Sequence, residues 1–98
     1  MANIIVHCYY TGAEGAARGF IEEMQTSGLQ REVWDEDGCL QYDYFLSARD
    51  PNVGALLEKW RDEAALTAHM NGEPMRKLKA VKEKYDLETK VERYEMKE

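Results

Sequence analysis

Apolar residues alternate with polar ones along some stretches of this chain and recur at three- and four-residue spacing along others, so short strands are predicted between amphipathic helices. From Asn3 to Tyr10 the alternation is apolar on both sides: Ile4, Val6, Cys8 and Tyr10 line one face, and Ile5, His7 and Tyr9 the other. Two apolar faces predict a central strand with something packed on each. Thr11 to Glu14 turns through Gly12, and then Ala17, Phe20, Ile21 and Met24 form a helical stripe that stops at Ser27-Gly28. Leu29 to Asp37 is ambiguous: Leu29, Val33 and Trp34 have spacings that extend a helical stretch, and Asp37-Gly38 is a turn signal. Cys39 to Leu46 reads as a strand with Leu40, Tyr42, Tyr44 and Leu46 on one face and Gln41 and Asp43 on the other. Asp50-Pro51-Asn52 marks the loop into a second strand of a hairpin, on which Leu56, Glu58 and Trp60 share a face opposite Leu57, Lys59 and Arg61. Asp62 is an acceptable cap for a helix whose stripe carries Leu66, His69 and Met70. Asn71-Gly72 breaks it, and Pro74 starts another helix with Met75, Leu78 and Val81 inward. The last strand runs from about Leu87 to Tyr94.

Strand, helix, strand, strand, helix, strand is the split βαβ order, an α+β ferredoxin-like arrangement with a four-stranded antiparallel sheet and helices on one face. One domain over residues 1–98 is expected. The second sheet face, with Ile5, His7 and Tyr9, is too apolar for open water, so a second copy is expected to cover it in a symmetric homodimer.

Composition narrows the function classes. Nineteen acidic against thirteen basic residues give a net charge of −6, and without a basic cluster nucleic acid is not an expected partner. No apolar run approaches the ~20 residues that span a bilayer, and the first residues lack the basic start and apolar stretch of a signal peptide, so a cytoplasmic location with no membrane partner is expected. Cys8 and Cys39 have no metal-ligand spacing, and two histidines do not make a zinc site; no metal is expected, and both cysteines read as reduced core residues.

The stretch from Leu56 to His69 is the richest in candidate chemistry. A strand running straight into a helix places Glu58, Trp60 and His69 where one cavity can hold all three. His69 is the candidate base, because an imidazole titrates near neutrality, although a histidine on an apolar stripe is more often a satisfied core residue. A buried Glu58 persists only when paired or hydrogen-bonded, and orienting His69 is one such role. Trp60 reads first as core and second as a stacking wall for a flat substrate; Tyr42 and Tyr44 read first as packing, with hydroxyls that reach the same space. Cys8 falls on the pocket side of its strand, with no chemical role assigned.

Gly38-Cys39-Leu40-Gln41-Tyr42-Asp43, Asp50-Pro51, Glu58-Lys59-Trp60-Arg61-Asp62, Ala65-Leu66 and Ala68-His69 follow one another in an order that resembles the antibiotic biosynthesis monooxygenase family, which includes quinol monooxygenases. The resemblance implies a ferredoxin-like protomer, a dimeric α/β barrel, and a pocket between each sheet and its own helices. The members include cofactor-independent oxygenases of polyphenols and quinols, and the chemistry that fits these residues is oxygenation of a small hydroxylated aromatic with no cofactor and molecular oxygen as co-substrate. His69 would take the phenolic proton, Glu58 would set the imidazole's tautomer, and Trp60, Tyr42 and Tyr44 would hold the ring. The family also contains heme-degrading enzymes, which this chain resembles less, and an isomerase of a phosphorylated metabolite. The chain departs from the pattern at Gly72-Glu73-Pro74, where many relatives carry a second histidine in a threonine-proline-histidine segment. A non-catalytic dimeric module that binds a small ligand is the alternative, followed by a His-assisted isomerase. An enclosed, aromatic-lined cavity touching His69 favours the oxygenase, and a side chain filling that space favours the module.

Overall fold

The computed structural model of the protein describes residues 3–97. In chain order the elements are β1 (Asn3–Thr11), α1 (Ala16–Thr26), α2 (Leu29–Trp34), β2 (Cys39–Leu46), β3 (Val53–Trp60), α3 (Glu63–Met70), α4 (Glu73–Lys84) and β4 (Glu88–Met96). The strands form one sheet in the order β2-β3-β1-β4, every neighbour antiparallel. This is the ferredoxin-like α+β order predicted by the alternation, with the ambiguous Leu29 segment resolved as a short helix.

Alternation decides which residues the sheet gives to the core. On β1, Ile4, Val6, Cys8 and Tyr10 are buried while Ile5, His7 and Tyr9 are half-buried, and on β3 Leu56, Glu58 and Trp60 are buried in the same rhythm. Register puts Val6 beside Glu58 and Ile4 beside Trp60, so the inward residues of adjacent strands lie in rows. Phe20 and Met24 of α1, with Leu29 and Val33 of α2, close over these rows. Each fully buried Phe, Met, Leu or Val contributes roughly 1.5–3 kcal/mol, so the α1–α2 layer holds the sheet mainly through these four.

Two expected inward residues point elsewhere. Leu40 is 53% exposed, because the β2–β3 register jumps between Cys39, opposite Trp60, and Gln41, opposite Lys59. The extra residue of this bulge is Leu40, and Cys39 takes the inward place instead. Met70 is 49% exposed: α3 buries Ala65, Leu66 and His69, and a residue one step beyond His69 is turned about 100° away from that stripe.

The start of α3 is fixed by two local devices. Asp62 caps it, its side chain accepting the Ala65 amide at 2.9 Å. Gly38, in the turn before β2, has φ +83°, and a Cβ there would lie 2.4 Å from the Ala65 Cβ. Only glycine permits that backbone and that approach, and the Gly38 carbonyl accepts the Arg61 amide at 2.8 Å. The turn is thereby held against α3, with Glu36 two residues ahead of it.

Candidate active site

Glu58, Trp60 and His69 do meet. β3 delivers the first two from one face, and the α3 stripe folds His69 back over them. The imidazole stacks on the Trp60 indole, ring centroids 4.6 Å apart and planes inclined by 25°. Trp60 Nε1–H donates to Glu58 Oε1 at 2.9 Å, and the same oxygen is 3.8 Å from His69 Nε2. Tyr42 stands edge-on to His69, centroids 6.1 Å apart. With His69 only 2% exposed, the space beside its ring is filled by Trp60 and Tyr42.

The residue that meets His69 Nδ1 is Glu36, on the turn between α2 and β2, whose carboxylate oxygens lie 3.0 and 3.2 Å away. Glu58 is the orienting carboxylate expected from the sequence, and Glu36 is not among the expected site residues. Glu36 lies in an acidic stretch that reads as solvated, thirty-three residues from its partner, and no local periodicity connects the two.

Glu58 is buried, and burial pushes its carboxyl pKa up; the Trp60 donor, the neighbouring His69 and the Cys8 thiol oppose that rise. It nevertheless has an opening. A groove of about 280 Å³ runs between α3 and β4, lined by Val6, Glu58, Leu66, Thr67, Met70 and Val91, with Glu63 and Arg93 also on its wall. Glu63 and Arg93 pair across it from α3 and β4. Register explains the gap: Val91 and Arg93 of β4 lie opposite Cys8 and Val6 on the inward sheet face, yet Val91 stays 59% exposed.

The other expected site residues are placed as follows. Cys8 Sγ–H points to Glu58 Oε2 at 3.8 Å, and burial followed by the Glu58 charge pushes the thiol pKa up to about 12, which keeps it protonated at neutral pH. Tyr42 and Tyr44 share a hydroxyl–hydroxyl hydrogen bond of 3.2 Å and stack edgewise with each other. Tyr44 also packs edge-on against Phe20 and near Tyr10, so the pair extends an aromatic cluster behind Glu58. Burial raises the pKa of both phenols. Among the described residues no group of three or more His, Cys, Asp and Glu side chains is placed to hold a metal ion.

Residues 3–81 match the family model of antibiotic biosynthesis monooxygenases. The chain belongs to this family. A curated relative, "Putative monooxygenase YcnE" of Bacillus subtilis (strain 168), is 34% identical over 74 residues, spanning 70% of this chain and 76% of the relative. Among solved structures, PA3566 of Pseudomonas aeruginosa is 27% identical with a TM-score of 0.82, covering all (100%) of this chain and 97% of the other. A Deinococcus radiodurans protein described as a putative antibiotic biosynthesis monooxygenase superposes with a TM-score of 0.84 at 19% identity, covering 97% and 93% of the two chains, and supports the shared fold. Membership places this chain among monooxygenase-like proteins. The family match stops before β4, so the β4 wall of the groove lies outside it.

Proposed function

We propose that this family member is a cofactor-independent monooxygenase acting on a small hydroxylated aromatic or quinol, bound in the α3–β4 groove with Glu58 as the base. The observation that carries this reading is a buried carboxylate, raised in pKa, on the floor of an otherwise largely apolar groove. A volume of about 280 Å³ lies just under the usual range for drug-sized ligands, which suits one or two rings. Glu58 removes the phenolic proton, and the electron-rich phenolate gives one electron to dioxygen. The radical and superoxide combine at a ring carbon, and the proton returns to the peroxide. Loss of the carbon-bound hydrogen and cleavage of O–O then leave a ring carbonyl and one water. The substrate supplies all four electrons, so phenol plus O2 gives quinone plus H2O. Val6, Leu66, Met70 and Val91 flank the ring, and the Arg93 cation favours the phenolate.

In this scheme His69 does not touch the substrate, being closed off by Trp60 and Tyr42. That filled space is the one observation favouring a ligand-binding module without turnover. The two readings separate in an oxygen electrode with metal-free protein and a panel of phenols and quinols, corrected for autoxidation. One panel member should be consumed with a single 18O entering the product from 18O2, and Glu58→Gln should slow it by about a hundredfold or more. Full rate in Glu58→Gln removes Glu58 as the base; binding of panel members without oxygen consumption establishes the module instead.

We also propose that a second copy covers the outer sheet face. Ile5, Leu57 and Ala55 are half-buried there, and Phe45, Tyr94 and Met96 are 49%, 52% and 42% exposed. No helix among the described residues is long and apolar enough to cross a membrane.

A further inference from the structure

Glu36 and Glu58 approach one imidazole from opposite sides. Glu36 Oε2 is 3.0 Å from Nδ1 and Glu58 Oε1 is 3.8 Å from Nε2, with side-chain exposures of 19% and 8% for the two acids. A carboxylate oxygen only accepts, so Nδ1–H donates to Glu36, while Nε2 faces Glu58 at a distance beyond hydrogen-bond length. The Trp60 indole stacked on the ring fixes its plane. A histidine that served packing alone needs one acceptor; this one is flanked at both nitrogens, on one side by the groove floor and on the other by a partly exposed carboxylate.

We infer that Glu36, His69 and Glu58 act as one proton-holding unit in which Glu36 is a positioning residue: it fixes the imidazole, and the imidazole takes over the proton that Glu58 collects in the groove. This rests on the reading of Glu58 as the base. The Glu58 oxygen closes from 3.8 Å to hydrogen-bond length by rotation about its last torsion, which is broad and roughly two-fold. The proton moves from Glu58 to Nε2, giving an imidazolium between two carboxylates, and only O–H and N–H bonds change. It returns by the same route to the peroxide oxygen. While the phenolate reacts, its proton is held one residue away from it, on a ring that water does not reach.

The unit has a signature whose sign distinguishes it from simple charge effects. Through space, the Glu36 charge raises the proton affinity of Glu58, so Glu36→Gln acting that way lowers it. Through the imidazole the effect reverses: without Glu36 the ring is no longer fixed to take the proton over, and Glu58 holds its proton to higher pH. The other titratable groups around Glu58 are Cys8 and Tyr10 of β1 and Cys39, Tyr42 and Tyr44 of β2, Cys39 also feeling the Glu36 charge. Glu63 of α3 and Arg93 of β4 stand at the groove, and Lys82 of α4 acts on Cys8. None of them changes in the comparison.

The test is the titration of the Glu58 side-chain carboxyl by 13C NMR in parent, Glu36→Gln and Glu36→Asp proteins, all otherwise unmodified. Glu36 is partly exposed and Gln is isosteric, so folding is retained. Glu36→Gln should raise the Glu58 midpoint by about one pH unit, tenfold in proton affinity, while Glu36→Asp stays near the parent. An unmoved or lowered midpoint in Glu36→Gln overturns the inference, as does an equal rise in Glu36→Asp, which would reflect lost packing. Oxygen uptake in the same variants separates the two proposals. Its acid limb should move with the carboxyl titration; a carboxyl that moves while the rate profile does not leaves the unit intact and removes Glu58 as the substrate's base.

Discussion

Trp60→Phe is the sharpest probe of the buried cluster, because it deletes one donor while keeping an aromatic ring in place. The lost contact is the 2.9 Å bond from Nε1–H to Glu58 Oε1, made by a side chain with 0% exposure. A hydrogen bond to an ionised group contributes about 1.5–3 kcal/mol, against roughly 0.5–1.5 kcal/mol for one to a neutral acceptor. The loss therefore depends on whether Glu58 is ionised. In the parent, the Glu58 pKa is raised on folding, so its contribution to stability is full below the unfolded-state value of about 4.3 and is lost as pH rises through the folded value. Trp60 opposes that rise, so its removal raises the folded value further and the variant loses more as pH increases. Urea denaturation followed by far-UV circular dichroism, at one fixed protein concentration, should show a midpoint lower by roughly 1–2 M at pH 8 for an m-value of ordinary size. At pH values below the folded Glu58 range the difference should shrink to the cavity and the neutral hydrogen bond. Trp60→Ala, which also empties the space against His69, should cost roughly 3–5 kcal/mol, with the same dependence on pH. Equal losses for Trp60→Phe at high and low pH would show that the indole N–H does not bear on the charge of Glu58, and the electrostatic account of the site would fall.

Gly38→Ala should destabilise the protein by at least ~2 kcal/mol, combining a backbone at φ +83° with a Cβ driven against Ala65; a thermal midpoint equal to the parent's would show that the turn relaxes freely. For the proposed homodimer, sedimentation at micromolar concentration should give twice the protomer mass of 11.4 kDa. Tyr94→Glu, on the outer sheet face, should shift the mass toward the monomer, and a parent that is monomeric at every concentration refutes the pairing.

Strands and helices were legible because each signal is local. On β1 and β3 every second residue is buried, as the two-residue period of a strand requires, and the α1 stripe of Ala17, Phe20, Ile21 and Met24 is buried at its helical spacing. Leu40 was misplaced because a bulge changes the count of residues along a strand without changing their type, and after it the faces exchange. Of the site, Glu58 and Trp60 could be read as neighbours because they lie two apart on one strand. The Glu36–His69 contact could not be read, since it depends on how a turn closes against a helix more than thirty residues later. Gly38 was the nearest available clue. Asp37-Gly38 reads as a turn, but the Ala65 contact that makes the turn dock against α3 exists only in three dimensions.

The wall that β4 supplies to the groove has a further consequence. Val91 and Arg93 lie beyond the matched residues 3–81, while the floor residue Glu58 lies within them. The side chains at these two positions can be changed one at a time on a strand whose backbone hydrogen bonds to β1 persist whatever those side chains are. Two chains that match equally well over residues 3–81 need not accept the same molecule. A small library confined to positions 91 and 93 is accordingly the economical place to look for altered preference, and exchanging this strand between relatives is a direct way to ask how far selectivity travels separately from chemistry.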